Sequence, residues 1–142
     1  MLDDLGILPT ITWFCRKFRK TYPATRIETQ VEIEEEAIHP LLKTTIYRLM
    51  QEALNNAAKH SKADLVNLTL RKTGDSIELI IRDNGQGFDV GKALSVESTM
   101  RGFGLTSMRE RAEIPNGSFA IESAKGKGTT IKASWKATDA PL

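Results

Sequence analysis

The chain has 142 residues, with 40% hydrophobic and 27% charged side chains, which suits one globular domain with a single core. Its 20 basic and 18 acidic residues leave a net charge of +2, and no Lys/Arg run stands unopposed, so we expect no nucleic-acid partner and no membrane surface. No apolar run approaches the roughly 18 residues of a membrane span, and no signal peptide is visible, since the start is acidic where a signal would be basic. Cys15 is the only cysteine, which rules out an intrachain disulfide.

The first 60 residues predict a helix, a strand and a second helix. Apolar residues at helical spacing predict an amphipathic helix that ends at Pro23 and buries Cys15 as an inert thiol. Trp13 falls off this apolar stripe, so it either lies partly buried at the edge of the stripe or contacts a neighbouring segment. Alternation over residues 26–33 predicts a strand with one solvent-exposed face. His39-Pro40 begins a second helix that runs to about residue 60.

The rest of the chain predicts two strand pairs separated by a long loop and a short helix. The predicted strands cover residues 65–72, 76–82, 118–122 and 129–135, and the short helix begins near residues 104–105. The loop at residues 83–104 contains five glycines and no periodicity, which favours a functional role. Because paired strands alternate with helices, the predicted fold class is α/β (α+β): a two-layer sandwich of a mixed β-sheet with helices packed on one face.

The second helix carries the first candidate functional residues. On a helical wheel of ~100° per residue, one apolar stripe is predicted to be buried: Ile46, Leu49, Met50, Ala53 and Ala57. Glu52, Asn56, Lys59 and His60 lie together on one flank of that stripe. Asn55 lies near the opposite, solvent side, so Asn56 can line a cavity beside the core and Asn55 cannot.

This flank combines a carboxylate, an amide, an ammonium group and an imidazole. The Asn56 amide oxygen can ligate Mg²⁺, and the two cationic side chains suit a polyphosphate. The Glu52 carboxylate can act as a base or hold a water. The helix alone leaves a second interpretation open, in which Glu52 and Lys59 are surface charges and His60 lies near the end of the helix.

Two glycine-containing segments follow. DNGQGF at residues 83–88 comes directly after an apolar strand, and taken alone Asp-Asn-Gly is only a turn signal. Its two glycines permit close approach of a flat ligand, and Asp83 at the strand end can accept a hydrogen bond from an exocyclic amine. GFGL at residues 102–105 lies at a helix start and offers backbone N–H groups to an anion. The Walker and dinucleotide glycine motifs do not occur, which disfavours two common nucleotide-binding folds.

In order and spacing, these segments resemble the ATP-binding boxes of the histidine kinase, gyrase, Hsp90 and MutL superfamily, which has a Bergerat-type fold. QEALNNAAKH at residues 51–60 resembles its asparagine box and DNGQGF the first glycine box. GFGLTSMRER at residues 102–111 resembles the second glycine box, and GKGTT at residues 126–130 the last. The most similar branch contains the nitrate sensors and the membrane-fluidity sensor of Bacillus, and LDDLGILP at residues 2–9 resembles the segment after their dimerisation helices. The resemblance spans nearly the whole chain.

The resemblance implies a role for each matching residue at the phosphate end of an ATP site. Asn56 would coordinate the Mg²⁺ ion that bridges the phosphates. Lys59 and His60 would contact phosphate oxygens. Glu52 would be the catalytic carboxylate that orients or activates the attacking group.

The resemblance also implies the adenine contacts and a lid. Asp83 would read the adenine amino group, Thr129 would lie near the base, and Gly85 and Gly87 would let the base approach. Residues 90–103 would form a mobile lid over ATP. The second glycine box would complete the site with Gly102, Phe103, Gly104 and Leu105.

Two departures from the family pattern lie outside these contacts. Ser107 stands where many relatives have glycine, and Ile114-Pro115-Asn116-Gly117 replaces a more usual Ala-Leu-Gly-Gly, which puts the length of the last helix in doubt. No helix carries a phosphoacceptor histidine with an acidic neighbour. We therefore interpret the chain as an excised part of a kinase: residues 1–24 a linker-derived first helix, 25–137 the ATP-binding catalytic domain and 138–142 a frayed tail.

The resemblance implies a cytoplasmic sensor histidine kinase domain that uses ATP and Mg²⁺. Its expected partners are the histidine-bearing dimerisation helices of a homodimeric parent and the receiver domain of a response regulator. The parent is either wholly cytoplasmic or anchored in the inner membrane. The chain itself is expected to be monomeric unless exposed apolar residues of the first helix pair. The alternatives are a serine kinase or ATPase switch of the same fold, and a nucleotide-sensing scaffold without turnover.

Overall fold

A computed structural model describes residues 6–87 and 105–137, which form a mixed five-stranded sheet with helices on one face. The helices are α1 (Ile7–Thr21), α2 (Pro40–Asn55) and α3 (Leu105–Glu113), with a 3₁₀ turn at Glu35–Ala37 and a π turn at Asn56–His60. The strands are β1 (Arg26–Glu32), β2 (Leu65–Thr73), β3 (Ser76–Asp83), β4 (Ser118–Ser123) and β5 (Thr129–Lys136). The predicted fold class is confirmed, and each predicted strand ends within one residue of the observed strand.

The sheet has the order β1-β2-β3-β5-β4, in which only β1 and β2 run parallel. Every second residue of β3 and β5 is buried, and so are Val66, Leu68 and Leu70 of β2, so one face of the sheet is covered. The stripe predicted on the second helix supplies part of that cover, and all five of its residues are at most 3% exposed. Helix α2 and strand β3 therefore belong to two layers that pack against each other.

Strand β1 differs from its prediction in how much of it is covered. Alternation predicted a covered face along the whole strand, but only Ile27 is buried, and Val31 is 40% exposed. The reason is that β1 is an edge strand that the helical layer meets at its beginning, where the Arg19 guanidinium donates a hydrogen bond of 2.9 Å to the Ile27 carbonyl.

Helix α1 packs beside α2 through aromatic side chains. The Phe14 ring meets the Tyr47 ring edge-on, with 5.9 Å between their centroids. Cys15 is buried as predicted, and burial raises the pKa of its thiol although Arg19 nearby lowers it in part, so the thiol stays protonated and inert. Trp13 lies at the edge of the apolar stripe, 38% exposed, with the Lys17 ammonium 5.2 Å from its ring centroid.

The amino terminus of α1 is capped by a side chain distant in sequence. The Glu35 carboxylate accepts hydrogen bonds of 2.9 Å from the backbone N–H groups of Ile7 and Leu8, and its Oε2 lies 2.8 Å from the Lys43 ammonium. Gly6 has φ +85°, and a Cβ there would lie 2.5 Å from the Glu35 carboxyl carbon. Burial alone would raise the pKa of Glu35, but the hydrogen bonds from Lys43 and the two N–H groups hold it below its ordinary value.

Replacing Glu35 with Gln is expected to lower the free energy of unfolding by about 1–2 kcal/mol at pH 7, because the amide keeps one acceptor and loses the ion pair. A carboxyl group whose folded pKa is depressed stabilises the fold above its unfolded pKa, and this contribution is lost as the pH falls through the folded value. The difference between Glu35→Gln and wild type should therefore begin to shrink as the pH falls to 4.5, the ordinary value for Glu, and vanish only below the lower pKa of the folded state. Urea denaturation at pH 7 and at low pH measures it. Glu36→Gln, an exposed neighbour, is the control, and an equal loss at both pH values would contradict the assignment.

Candidate functional site

Helix α2 ends in a π turn at the segment that carries the predicted asparagine. The turn Asn56–His60 is closed by the Ser61 N–H, which donates 2.9 Å to the Asn56 carbonyl five residues earlier. Such turns are rare and are frequently found at functional sites. Each residue of a π turn advances by a smaller angle than in an α-helix. The wheel used for the sequence therefore holds as far as Asn56 and does not give the orientation of Lys59 or His60.

The candidate residues of this helix differ in depth. Asn56 is only 6% exposed and is more deeply buried than Asn55, as the wheel predicts. Glu52 is half-buried one turn earlier, and Lys59 and His60 are exposed. An amide oxygen and a carboxylate are oxygen donors of the kind that Mg²⁺ prefers. The donor set is therefore compatible with the predicted metal, and the individual roles stay predictions.

Asp83 ends strand β3 beside the first residue of β5. It is 9% exposed and faces Thr129 in the strand register. Its Oδ1 accepts a 2.9 Å hydrogen bond from the Gly85 N–H, and the Thr129 N–H also donates to the carboxylate. Burial raises the pKa of Asp83, and these two hydrogen bonds oppose the rise. Two backbone donors leave part of the acceptor capacity of a carboxylate unused, so Asp83 can accept a further hydrogen bond from a ligand.

The loop after β3 packs closely against the segment after α2, and a glycine makes this close approach possible. A Cβ on Gly85 would lie 2.5 Å from the Ser61 carbonyl oxygen. That same oxygen accepts a 2.8 Å hydrogen bond from the Gln86 N–H. Because Ser61 directly follows the π turn, this contact joins the loop of Asp83 to the segment of Asn56. Sequence reasoning missed Ser61, since a single serine after the asparagine box carries no local signal.

The same loop is locked on its other side by the turn before β5. A Cβ on Gly87 would lie 2.1 Å from the Ala124 carbonyl oxygen, and one on Gly128 would lie 2.2 Å from the Asp83 carbonyl oxygen. The Ser123 hydroxyl donates 3.0 Å to the Gly128 carbonyl. These glycines make room for protein backbone, a requirement that the sequence did not reveal. Contact of Gly85 and Gly87 with a base stays a prediction.

Part of the predicted site lies outside the described residues. Gly102, Phe103, Gly104 and the predicted lid at residues 90–103 belong to this part. Leu105 is the first residue of α3, and its backbone alone is described. The contacts of the second glycine box therefore stay predictions.

A cavity on the outer face of the sheet is a separate feature. It has a volume of about 440 Å³ over β1, β2 and β3 and contains none of the predicted site residues. Its charged side chains include Arg71, whose Nε lies 2.9 Å from Glu78 Oε1, and Glu28, which pairs with Arg26. Because none of the predicted site residues lies in it and two of its charged side chains are already paired, the cavity is a weaker candidate than the end of α2.

Comparison with known proteins gives a family match over most of these elements. Residues 42–139 match the family described as histidine kinase-, DNA gyrase B-, and HSP90-like ATPase. The chain is 36% identical over 132 residues to the signal transduction histidine-protein kinase/phosphatase DegS of Bacillus subtilis, covering 92% of this chain and 34% of DegS. It is 31% identical over 138 residues to the oxygen sensor histidine kinase NreB of Staphylococcus carnosus, covering 97% of this chain and 38% of NreB. The chain thus spans about a third of the length of these relatives.

Solved structures share the fold at low identity. The histidine kinase domain from the blue-light activated histidine kinase of Erythrobacter litoralis superposes with a TM-score of 0.70 at 15% identity, covering 96% of this chain and 61% of that one. The histidine kinase AdeS of Acinetobacter baumannii gives a TM-score of 0.70 at 12% identity, covering 94% of this chain and 64% of that one. These likenesses show the layered α/β fold. None of the helices within residues 6–87 and 105–137 combines the length and the hydropathy that a membrane span needs.

Proposed function

The chain belongs to the histidine kinase-, DNA gyrase B- and HSP90-like ATPase family, and on that premise we propose that it binds Mg-ATP and, within a longer protein, transfers the γ-phosphoryl group to a histidine. One observation carries the proposal. The buried Asp83 carboxylate, held by two backbone N–H groups, is joined through Ser61 to the π turn that begins at Asn56. DegS and NreB, whose names describe histidine kinases, support a histidine as the acceptor of the phosphoryl group.

At the adenine end, Asp83 would accept a hydrogen bond from the exocyclic amine of the base. Its carboxylate is fixed by Gly85 and Thr129, so its orientation does not depend on the ligand. Thr129 is 6% exposed and shares a 2.8 Å hydrogen bond with the Ser123 hydroxyl. A preorganised acceptor of this kind loses little conformational entropy on binding, which favours affinity.

At the phosphate end, the π turn would supply the metal and phosphate contacts. The Asn56 amide oxygen would coordinate Mg²⁺, which when bound neutralises charge on the phosphates. Lys59 and His60, exposed on the same turn, would contact phosphate oxygens, and Glu52 would orient the attacking group. Phosphoryl transfer of this type depends mainly on positioning and electrostatic stabilisation, which these side chains can provide.

The partners follow from the same proposal. The acceptor histidine would lie on dimerisation helices of the longer protein, and the phosphoryl group would pass to an aspartate of a receiver domain. Residues 25–137 would be the catalytic domain, with α1 as the helix that follows the dimerisation helices. The domain would act in the cytoplasm.

Replacing Asn56 with Ala is expected to weaken ATP binding in the presence of Mg²⁺ by about tenfold or more, since a buried polar ligand is lost. Without Mg²⁺ the affinity should change much less, because Asp83 still holds the base. Calorimetric titration of ATP with and without Mg²⁺ measures both affinities. Asn55→Ala is the matched control on the more exposed side of the helix. Equal affinities for Asn56→Ala and wild type in Mg²⁺ would contradict the assignment of Asn56 as the metal ligand.

Phosphoryl transfer is tested by mixing the chain and γ-labelled ATP with separately prepared histidine-bearing dimerisation helices of a family member. Label on the helices that is lost in acid and kept in base would identify phosphohistidine. Acid-stable label would instead identify a serine kinase of the same fold.

A further inference from the structure

An apolar groove lies between the start of α2 and the residues after α3. We call it the Leu41–Ile114 groove; it has a volume of about 300 Å³, and its principal lining residues are Leu41, Arg48, Arg111, Ile114 and Pro115. Leu41 is 59% exposed and Ile114 is 72% exposed, the two highest values among the large apolar side chains that the structure describes. Two such side chains at one concavity form a patch that the described part of the fold leaves uncovered.

The groove carries positive charge at its rim. Arg48 and Arg111 both line it, and within residues 6–87 and 105–137 neither guanidinium pairs with a carboxylate. The described side-chain contact of Arg48 is a long hydrogen bond of 3.3 Å to the Gln51 amide oxygen. Both arginines can therefore turn toward an incoming anion, and guanidinium groups bind carboxylates with two parallel hydrogen bonds.

The groove is distant from the proposed nucleotide site. Leu41 precedes Asn56 by fifteen positions on one continuous helix, which places them roughly 22 Å apart at about 1.5 Å per residue. Ile114 and Pro115 belong to the segment that departs from the usual family pattern of Ala-Leu-Gly-Gly. ATP binding thus gives no reason for an isoleucine to stand exposed at this position.

We propose that the Leu41–Ile114 groove docks an acidic protein segment, in which an aliphatic or aromatic side chain lies between two carboxylates. The apolar side chain would enter the groove against Leu41, Ile114 and Pro115, and the carboxylates would pair with Arg48 and Arg111. Charge complementarity selects this occupant: a basic segment would be repelled by both arginines. A concave patch between helix ends also does not suit a lipid bilayer, which binds a convex apolar helix face. This interaction goes beyond nucleotide binding and does not depend on it.

The test uses the full 142-residue chain and a synthetic helical peptide of twelve residues, with a central Leu flanked by Glu four residues before and three residues after. Binding is followed by fluorescence anisotropy at low ionic strength. We expect Ile114→Ser and Arg48→Glu each to weaken binding by about tenfold. Both side chains are exposed, so neither change should unfold the domain. Val31→Ser on β1 and Arg16→Glu on α1, also exposed, are the matched controls and should change affinity less than about twofold.

Several results would overturn the proposal. One is equal binding of peptides in which the central Leu is replaced by Ala or the two Glu residues by Gln. Another is binding to phosphatidylglycerol vesicles that Ile114→Ser abolishes, which would make the groove a membrane contact. A concentration-dependent dimer that Ile114→Ser dissolves would make it an interface between copies. ATP affinity, measured in parallel, should be unchanged in Ile114→Ser and Arg48→Glu. If the wild-type chain bound the peptide but did not bind ATP, the proposed function would be wrong and the docking surface would stand.

Discussion

Replacing Asp83 with Asn is expected to weaken ATP binding by about 10–100-fold, the effect of losing one hydrogen bond to a charged, buried acceptor. The carboxylate accepts from Gly85 and Thr129 on one side and would accept from the adenine amine on the other. An amide carries only one acceptor oxygen; because that oxygen would stay on the backbone donors, the adenine amine would meet an NH₂ group. Calorimetric titration of ATP in Mg²⁺ measures the loss.

The same substitution is expected to leave the free energy of unfolding unchanged or higher at pH 7. Burial raises the pKa of Asp83 above its ordinary 3.8, so the folded state disfavours the ionised form. For an acid whose pKa is higher in the folded state, stability is lost as the pH rises from the unfolded pKa through the folded one. The amide that replaces the carboxyl group in the variant does not titrate. The difference between Asp83→Asn and wild type should therefore shift in favour of the variant as the pH rises above 3.8.

A matched control separates a binding effect from a general one. Asp75 makes the same chemical change possible in the exposed turn between β2 and β3, and Asp75→Asn should alter neither affinity nor stability. An ATP affinity of Asp83→Asn equal to that of wild type would refute the adenine assignment. A large loss of stability in Asp83→Asn would instead mean that the carboxylate serves the fold.

Local patterns were sufficient to predict the elements of this fold. The apolar stripe from Ile46 to Ala57 is buried as the 3.6-residue period requires, and the strands predicted at residues 65–72 and 76–82 pair with each other. Both features depend on residues close together in the sequence. The edge position of β1 depends on which strands pair with it. The alternation of apolar and polar residues within β1 does not predict that pairing.

Contacts between distant residues explain what the sequence did not predict at the site. The Glu35 carboxylate caps Ile7 and Leu8, which precede it by 28 and 27 positions, and no local motif predicts this contact. The close approaches of Gly85 to Ser61 and of Gly87 to Ala124 likewise form only when three separate segments meet. The family resemblance identified these glycines as a box, and the structure adds that the backbone itself occupies the space where their side chains would be.

Replacing Gly128 with Ala is expected to lower the free energy of unfolding by about 2–4 kcal/mol, the sum of a strained positive φ and a backbone clash. Gly128 has φ +77°, and its added Cβ would lie 2.2 Å from the Asp83 carbonyl oxygen. That oxygen belongs to backbone and cannot swing aside as a flexible side chain would. Relief requires the end of β3 to move away from the start of β5, which displaces Asp83 from the Thr129 N–H, so ATP binding should fall as well.

Gly126→Ala, in the same turn, separates strain from clash. Gly126 has φ +83°, but an added Cβ would meet nothing within 4 Å, so this variant should lose only about 1 kcal/mol, the cost of the positive φ. Urea denaturation and ATP titration of both variants measure the difference. If Gly128→Ala were no worse than Gly126→Ala, the close approach would not determine the position of Asp83. If Gly128→Ala alone lost both stability and ATP binding, the contact that builds the fold at this point would also be the one that positions the adenine acceptor.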